Sequence, residues 1–141
     1  MNDLNHALSL LQEGPYTCIL CTGELVLTCQ KRGIVPLLEF WEDGKLKGAC
    51  VADKIIGKAA ALLLLLGGAK AVYGEVMSET ACKLLKDAGL QVRYGTLVPY
   101  IINRRGDGMC PMEQAVQQID EPEKAPAALR AALQKLKVPN Q

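Results

Sequence analysis

An acidic and a basic side chain stand together at Asp53-Lys54, after the short apolar run that ends at Ala52 and before a long apolar stretch. If a strand feeds a helix at this point, the pair can do acid–base work or hold an anion. The free N–H groups and the dipole of a helix start favour negative charge. Lys54 would bind the anionic group and Asp53 would orient it or act as a base. In purely structural terms Asp53 caps the helix, contributing about 1 kcal/mol, and Lys54 is solvated. Lys58 follows four residues later and would share a helix face with Lys54. It either snorkels to solvent or lines the same pocket.

A second constellation is Cys110-Pro111-Met112-Glu113, after the polar, glycine-rich stretch Asn103 to Gly108. A thiol at a helix start can become a thiolate. Cys110 is therefore the candidate nucleophile or redox thiol, and otherwise a small buried residue. Asp53, Lys54 and Cys110 form the candidate catalytic set. Lys58, Ser78, Arg104 and Glu113 form the candidate ligand-binding set. Each has a plain alternative: Ser78 as an N-cap, Glu113 and Glu79 as carboxylates favoured by a helix dipole, Arg104 and Arg105 as a solvated loop.

Other patterns carry less. No P-loop or GxGxxG is present. Cys18 and Cys21 form a CxxC, but inside an apparent strand, where residues three apart point to opposite faces. No second CxxC or HxxxH completes four metal ligands, and Cys29 and Cys50 could join only through the fold. Cys50 and Cys82 read as core. His6 is the single histidine; it lies on the first helix, which argues against a Ser-His-Asp triad or a histidine zinc site.

The elements that must position these residues follow from periodicity. Asp3 to Gln12 is a helix, capped by Asn2 or Asp3 and stopped by Gly14-Pro15. Tyr16 to Cys21 and Leu25 to Cys29 form a hairpin around Thr22-Gly23-Glu24. Ile34 to Trp41 is a short helix with Pro36 in its first turn. Gly48 to Ala52 is a strand, with Asp53 capping a nearly all-apolar helix that ends at Gly67-Gly68. Ala71 to Met77 is a buried strand, with Ser78 capping a helix that stops at Gly89. Gln91 to Tyr94 and Leu97 to Ile102 are extended segments. Pro111 opens a helix through about Ile119, Glu121 to Pro126 is a linker, and Ala127 to Lys137 is an amphipathic helix with Leu129, Leu133 and Leu136 on one face. An antiparallel hairpin joined to right-handed βαβ units gives a mixed sheet of about five strands in a three-layer α/β/α sandwich. Residues 1–120 are expected as the domain, and 121–141 as linker and C-terminal helix.

With 141 residues, half of them hydrophobic and 4% aromatic, the chain can bury a core of Leu, Ile, Val and Ala. Sixteen basic residues against fifteen acidic ones leave no global field for a polyanion, so nucleic acid is not implied. No secretory leader opens the chain, and the apolar run Ala59 to Leu66 is far short of a membrane span, which needs about 20 residues. A cytoplasmic protein with reduced thiols is expected.

The order of elements resembles the cytidine-deaminase-like fold. In that superfamily one strand feeds a helix opening with His-or-Cys, any residue, Glu. The next feeds a helix opening with Pro-Cys-x-x-Cys. The metal set binds zinc and the Glu shuttles protons. Here the corners read Ala52-Asp53-Lys54-Ile55 and Met77-Ser78-Glu79-Thr80-Ala81-Cys82. Ser78 and Ala81 stand where two thiolates belong, and Asp53 or Lys54 stands in the region of the His-or-Cys and Glu. No zinc ligand carries over. The text ADKIIGKAAA, VMSETA and INRRGDGMCPMEQAV looks like a small family of uncharacterised bacterial proteins with this fold and no metal site. The likeness covers roughly Asn2 to Ile119. It implies a pocket but not hydrolytic deamination, which needs a metal-activated water.

Three readings follow. The first is a zinc-less protein without cofactor that binds a small anionic, nucleotide-like metabolite at the helix starts after the third and fourth strands. It requires Asp53 and Lys54 to lie at a cavity. The second is a sulfur-transfer or redox protein using Cys110 with another cysteine. The third is an interaction module whose C-terminal helix packs on a partner or on a second copy of the chain.

Overall fold

The computed structural model describes residues 3–137. Helix α1 (Asp3–Glu13) leads into the hairpin β1 (Cys18–Thr22) and β2 (Leu25–Cys29), followed by α2 (Val35–Glu42). Strand β3 (Cys50–Ile56), helix α3 (Lys58–Gly67), strand β4 (Ala71–Ser78), helix α4 (Glu79–Asp87) and strand β5 (Gln91–Val98) form two successive βαβ units. A short helix α5 (Pro111–Val116), a 3₁₀ turn (Pro122–Lys124) and helix α6 (Ala125–Lys137) complete the order.

The strands form one mixed sheet in the order β2-β1-β3-β4-β5. β1 is antiparallel to both β2 and β3, while β3, β4 and β5 are parallel. Helices cover both faces, as the α/β/α expectation requires. On one face α1 buries Leu4, Ala7 and Leu11 against Ile19, Cys21, Cys50, Ala52 and Tyr73. On the other, α2 to α6 enclose the larger core, with Leu62, Leu63 and Leu64 of α3 at its centre. Six residues of α3 are buried, because an apolar helix flanked by the sheet and four other helices has little surface left for solvent. Gly68 closes α3 in the left-handed conformation at φ 82°, which glycine adopts without strain.

The first corner departs from expectation. β3 does not stop at Ala52 but runs on to Ile56, so Asp53 caps no helix and Lys54 lies in a strand. The β-branched pair Ile55-Ile56 sustains the extended backbone, and α3 opens at Lys58 after Gly57. Lys54 and Lys58 therefore do not share a helix face. Alternation along β3 breaks at this stretch: Val51 and Ile56 both enter the larger core although they are five residues apart, and Ile55 is exposed. Val72 and Met77, their register partners on β4, make the same switch.

Smaller differences concern caps and ends. The Asp3 carboxylate accepts the Gly23 amide at 3.1 Å, tying α1 to the hairpin turn; Asn2 lies outside the described residues. Gln91 to Val98 is one strand rather than two segments, and α5 ends at Val116. Ala125 and Leu129, at the start of α6 and one turn on, are fully buried in the larger core. Arg130 of α6 pairs with Glu42 and lies over the Trp41 ring, 5.5 Å from its centroid.

Candidate functional site

The three parallel strands end on the same side of the sheet, and the residues that follow each of them meet there. Lys58 follows β3, Ser78 and Thr80 follow β4, and Pro99 and Tyr100 follow β5. With Met109, Glu113 and Gln117 they line a cleft of about 350 Å³. A crevice beyond the carboxyl ends of parallel strands is the usual ligand position in an open α/β sheet.

Glu113 organises the floor. Its carboxylate accepts the Lys58 amide at 2.7 Å and the Ala59 amide at 2.9 Å, so it caps α3 from another helix. Gly57 itself has no side chain to do this. Its φ of −107° is open to any residue; what it provides is room, because a Cβ there would overlap the Glu113 carboxylate. The α3 start is therefore already taken by an anion of the protein's own. Ser78 caps α4 in the ordinary way, its hydroxyl accepting the Ala81 amide at 3.1 Å, and it is buried.

Lys58 brings the cation. Its side chain is mostly covered, and its ammonium donates to the Gln117 carbonyl at 3.1 Å, with Asp120 at 3.7 Å. Tyr100 brings an exposed aromatic ring. Sequence reasoning passed over Tyr100 and Thr80. The signal was there, in that each sits within two residues of the end of a parallel strand.

The cleft thus gathers Lys58, Ser78 and Glu113 from the expected residues and leaves out the others. Asp53 is buried beside Cys18 on β1, its carboxylate accepting the Ile55 amide at 3.2 Å. Burial pushes its carboxyl up to about 7, against the pull of hydrogen bonds from Ile55, Cys18 and Lys54. Lys54 points to a surface ion pair with Glu75 at 3.5 Å. The longer β3 carries both away from the α3 start, so neither lines the cleft. The pocket expected around Asp53 and Lys54 is therefore not formed, and with it goes the acid–base role expected for them; a binding reading can rest only on Lys58, Ser78 and the other lining residues. Cys110 is the residue before α5, half-buried against the larger core, and is not among the cleft's lining residues. Arg104 is exposed in a loop that Asn103 ties to Gly106 and Asp107.

Cys18 and Cys21 face opposite sides of the sheet, Cys18 in the larger core and Cys21 beneath α1. Among the described residues no three His, Cys, Asp or Glu side chains converge in a way that could hold a metal ion. No helix among them is long and apolar enough to cross a membrane.

Fold and cleft define an α/β/α protein with a ligand-sized crevice at its parallel strand ends. The chain belongs to the DUF1893 family: the model of that family, a domain of unknown function, matches residues 6–133. The crystal structure of a DUF1893 family protein (TM1506) from Thermotoga maritima is similar, with a TM-score of 0.81 at 30% identity over 95% of this chain and 90% of that one. No curated protein matches the chain.

Proposed function

We propose that this protein binds a small anionic metabolite, nucleotide-like in carrying both a phosphate and a flat ring, in the cleft between α3, α4 and the segment after β5. The observation that supports this is the meeting, in one cleft of about 350 Å³, of Lys58, the hydroxyl residues Ser78 and Thr80, and the exposed Tyr100. An ammonium attracts phosphate, hydroxyls orient it, and an aromatic ring stacks on a base. Because Glu113 occupies the α3 start, the anion is placed toward Lys58 and the α4 side. The relation to a zinc-less deaminase-like fold is part of the same proposal, as is a cytoplasmic setting, which suits six free cysteines.

Titration calorimetry with adenosine 5′-monophosphate, adenosine and inorganic phosphate tests it. Saturable binding of the nucleotide, stronger than that of either part and weakened about tenfold by Lys58→Ala, is expected. A tenfold loss corresponds to about 1.4 kcal/mol. Absence of binding at millimolar nucleotide, or binding indifferent to Lys58, would overturn the reading.

A further inference from the structure

Cys18 and Cys29 are directly opposite each other in the antiparallel β1–β2 pair and belong to the same sheet face. Opposed residues in such a pair have Cα atoms about 4.5–5.5 Å apart, inside the range of about 4.4–6.8 Å that a disulfide spans. The two thiols differ in surroundings. Cys18 is fully buried opposite Asp53, its register partner on β3, and burial first, then the neighbouring Asp53, push its thiol up, so it needs a proton acceptor to react. Cys29 is half-buried on the edge strand β2 and lines a second depression of about 440 Å³ with Lys31, Glu39 and Phe40. Its sulfur accepts the Lys31 amide at 3.4 Å. An accessible thiol with a second thiol opposite it is what exchange through a mixed disulfide requires, and Asp53 is placed beside the second thiol to take its proton.

We propose that Cys29 and Cys18 form a dithiol–disulfide exchange site, with Cys29 as the attacking thiol, Cys18 as the resolving thiol and Asp53 as the proton acceptor, reacting with a small-molecule disulfide that enters from the β2 edge. The Cys29 thiolate attacks one sulfur of the external disulfide. A mixed disulfide forms and one external thiolate leaves. Cys18 passes its proton to the Asp53 carboxylate and attacks the Cys29 sulfur, releasing the second external thiolate. Two protein thiols are oxidised to one disulfide, and one external disulfide is reduced to two thiols. An Asp53 that titrates near neutrality can accept that proton and return it. The site lies apart from the cleft at the parallel strand ends and does not depend on its ligand.

The molecule carries its own control. Cys21 and Cys50 are also directly opposite, on β1 and β3, but both are buried beneath α1. They have the spacing without the access.

The full-length protein, reduced and freed of reductant, is incubated with glutathione disulfide, quenched in acid, alkylated and mapped by peptide mass spectrometry. A Cys18–Cys29 linked peptide, with Cys21, Cys50, Cys82 and Cys110 still alkylated, is expected. In a time course of Asp53→Asn, glutathionylated Cys29 forms at the wild-type rate and closes to the disulfide about tenfold or more slowly. A merely structural role for Asp53 would move both rates together. Should Cys110 react while Cys29 stays reduced, should Cys21–Cys50 link as readily, or should Cys29 remain glutathionylated in the wild type, the proposal is wrong. The wild-type map decides this even if the variant folds poorly.

Discussion

The carboxylate of Glu113 lies where a side chain on residue 57 would have to go, and from there it caps helix α3 through the amides of Lys58 and Ala59. Two residues 56 positions apart are thus one feature: Gly57 leaves the space and Glu113 fills it. The same carboxylate forms part of the cleft lining, so the geometry of the candidate site and the stability of the central helix are coupled.

Glu113→Ala is expected to destabilise the fold by about 1–3 kcal/mol, because it leaves two amides of a buried helix start without an acceptor. Gly57→Ala is expected to cost a similar amount by displacing Glu113. The two changes share one interaction, so the double variant should lose less than the sum of the singles. Chemical denaturation of the four proteins measures this; strict additivity would separate the two residues.

Asp53 makes stability depend on pH. Its carboxyl titrates at about 7 when folded, against 3.8 in its ordinary state, and the leading cause is burial. Between those values the folded chain holds a proton that the unfolded chain has lost. The stabilisation is complete below about pH 4 and disappears as the pH rises through about 7. The groups facing it are Cys18 and, beyond Cys18, Cys29. Asp53→Asn has no such proton to lose, so its advantage over the wild type should grow from pH 5 to pH 8. Unfolding curves at several pH values check this, and parallel profiles would contradict it.

Lys58→Ala should weaken a phosphate-bearing ligand without grossly altering the fold, since among the described residues its ammonium reaches the Gln117 carbonyl and Asp120 on the opposing segment. Ser78→Ala is a poorer probe. It removes an N-cap that contributes about 1 kcal/mol, so lost binding and lost stability would arrive together. Calorimetry beside thermal melts of both variants separates the effects: Lys58→Ala should change chiefly the first and Ser78→Ala both.

Tyr100→Ala should reduce affinity for a nucleotide while leaving affinity for inorganic phosphate unchanged, because the ring stands half-exposed and would meet only a flat group. Equal losses for both ligands would assign Tyr100 to the shape of the loop after β5 instead.

The fold was legible where local chemistry and tertiary packing agree. The apolar periodicity of α1, the Ser78 cap and the stops at Gly68 and Gly89 were all visible in the chain because each is settled within a few residues. The β3–α3 corner was not. Asp53 has the chemistry of an N-cap, and only the Ile55-Ile56-Gly57 run, read as strand continuation followed by a gap for a distant side chain, would have moved the helix start to Lys58. That the cap is Glu113 could not be read locally, since 55 residues separate it from Lys58. Three of the seven candidate residues line the cleft for a related reason. Lys58, Ser78 and Glu113 are held by strand ends and caps, whereas Asp53 and Lys54 depended on the misplaced boundary. The opposite faces of Cys18 and Cys21 followed from strand alternation alone, but the pairing of Cys18 with Cys29 required the hairpin register.

The most direct test of a ligand site at the parallel strand ends is an amide NMR titration of the labelled protein with adenosine 5′-monophosphate. The account predicts saturable shifts concentrated at Lys58, Ser78 to Thr80 and Tyr100, with the α1 face silent. Shifts centred elsewhere, or none at millimolar nucleotide, would contradict it.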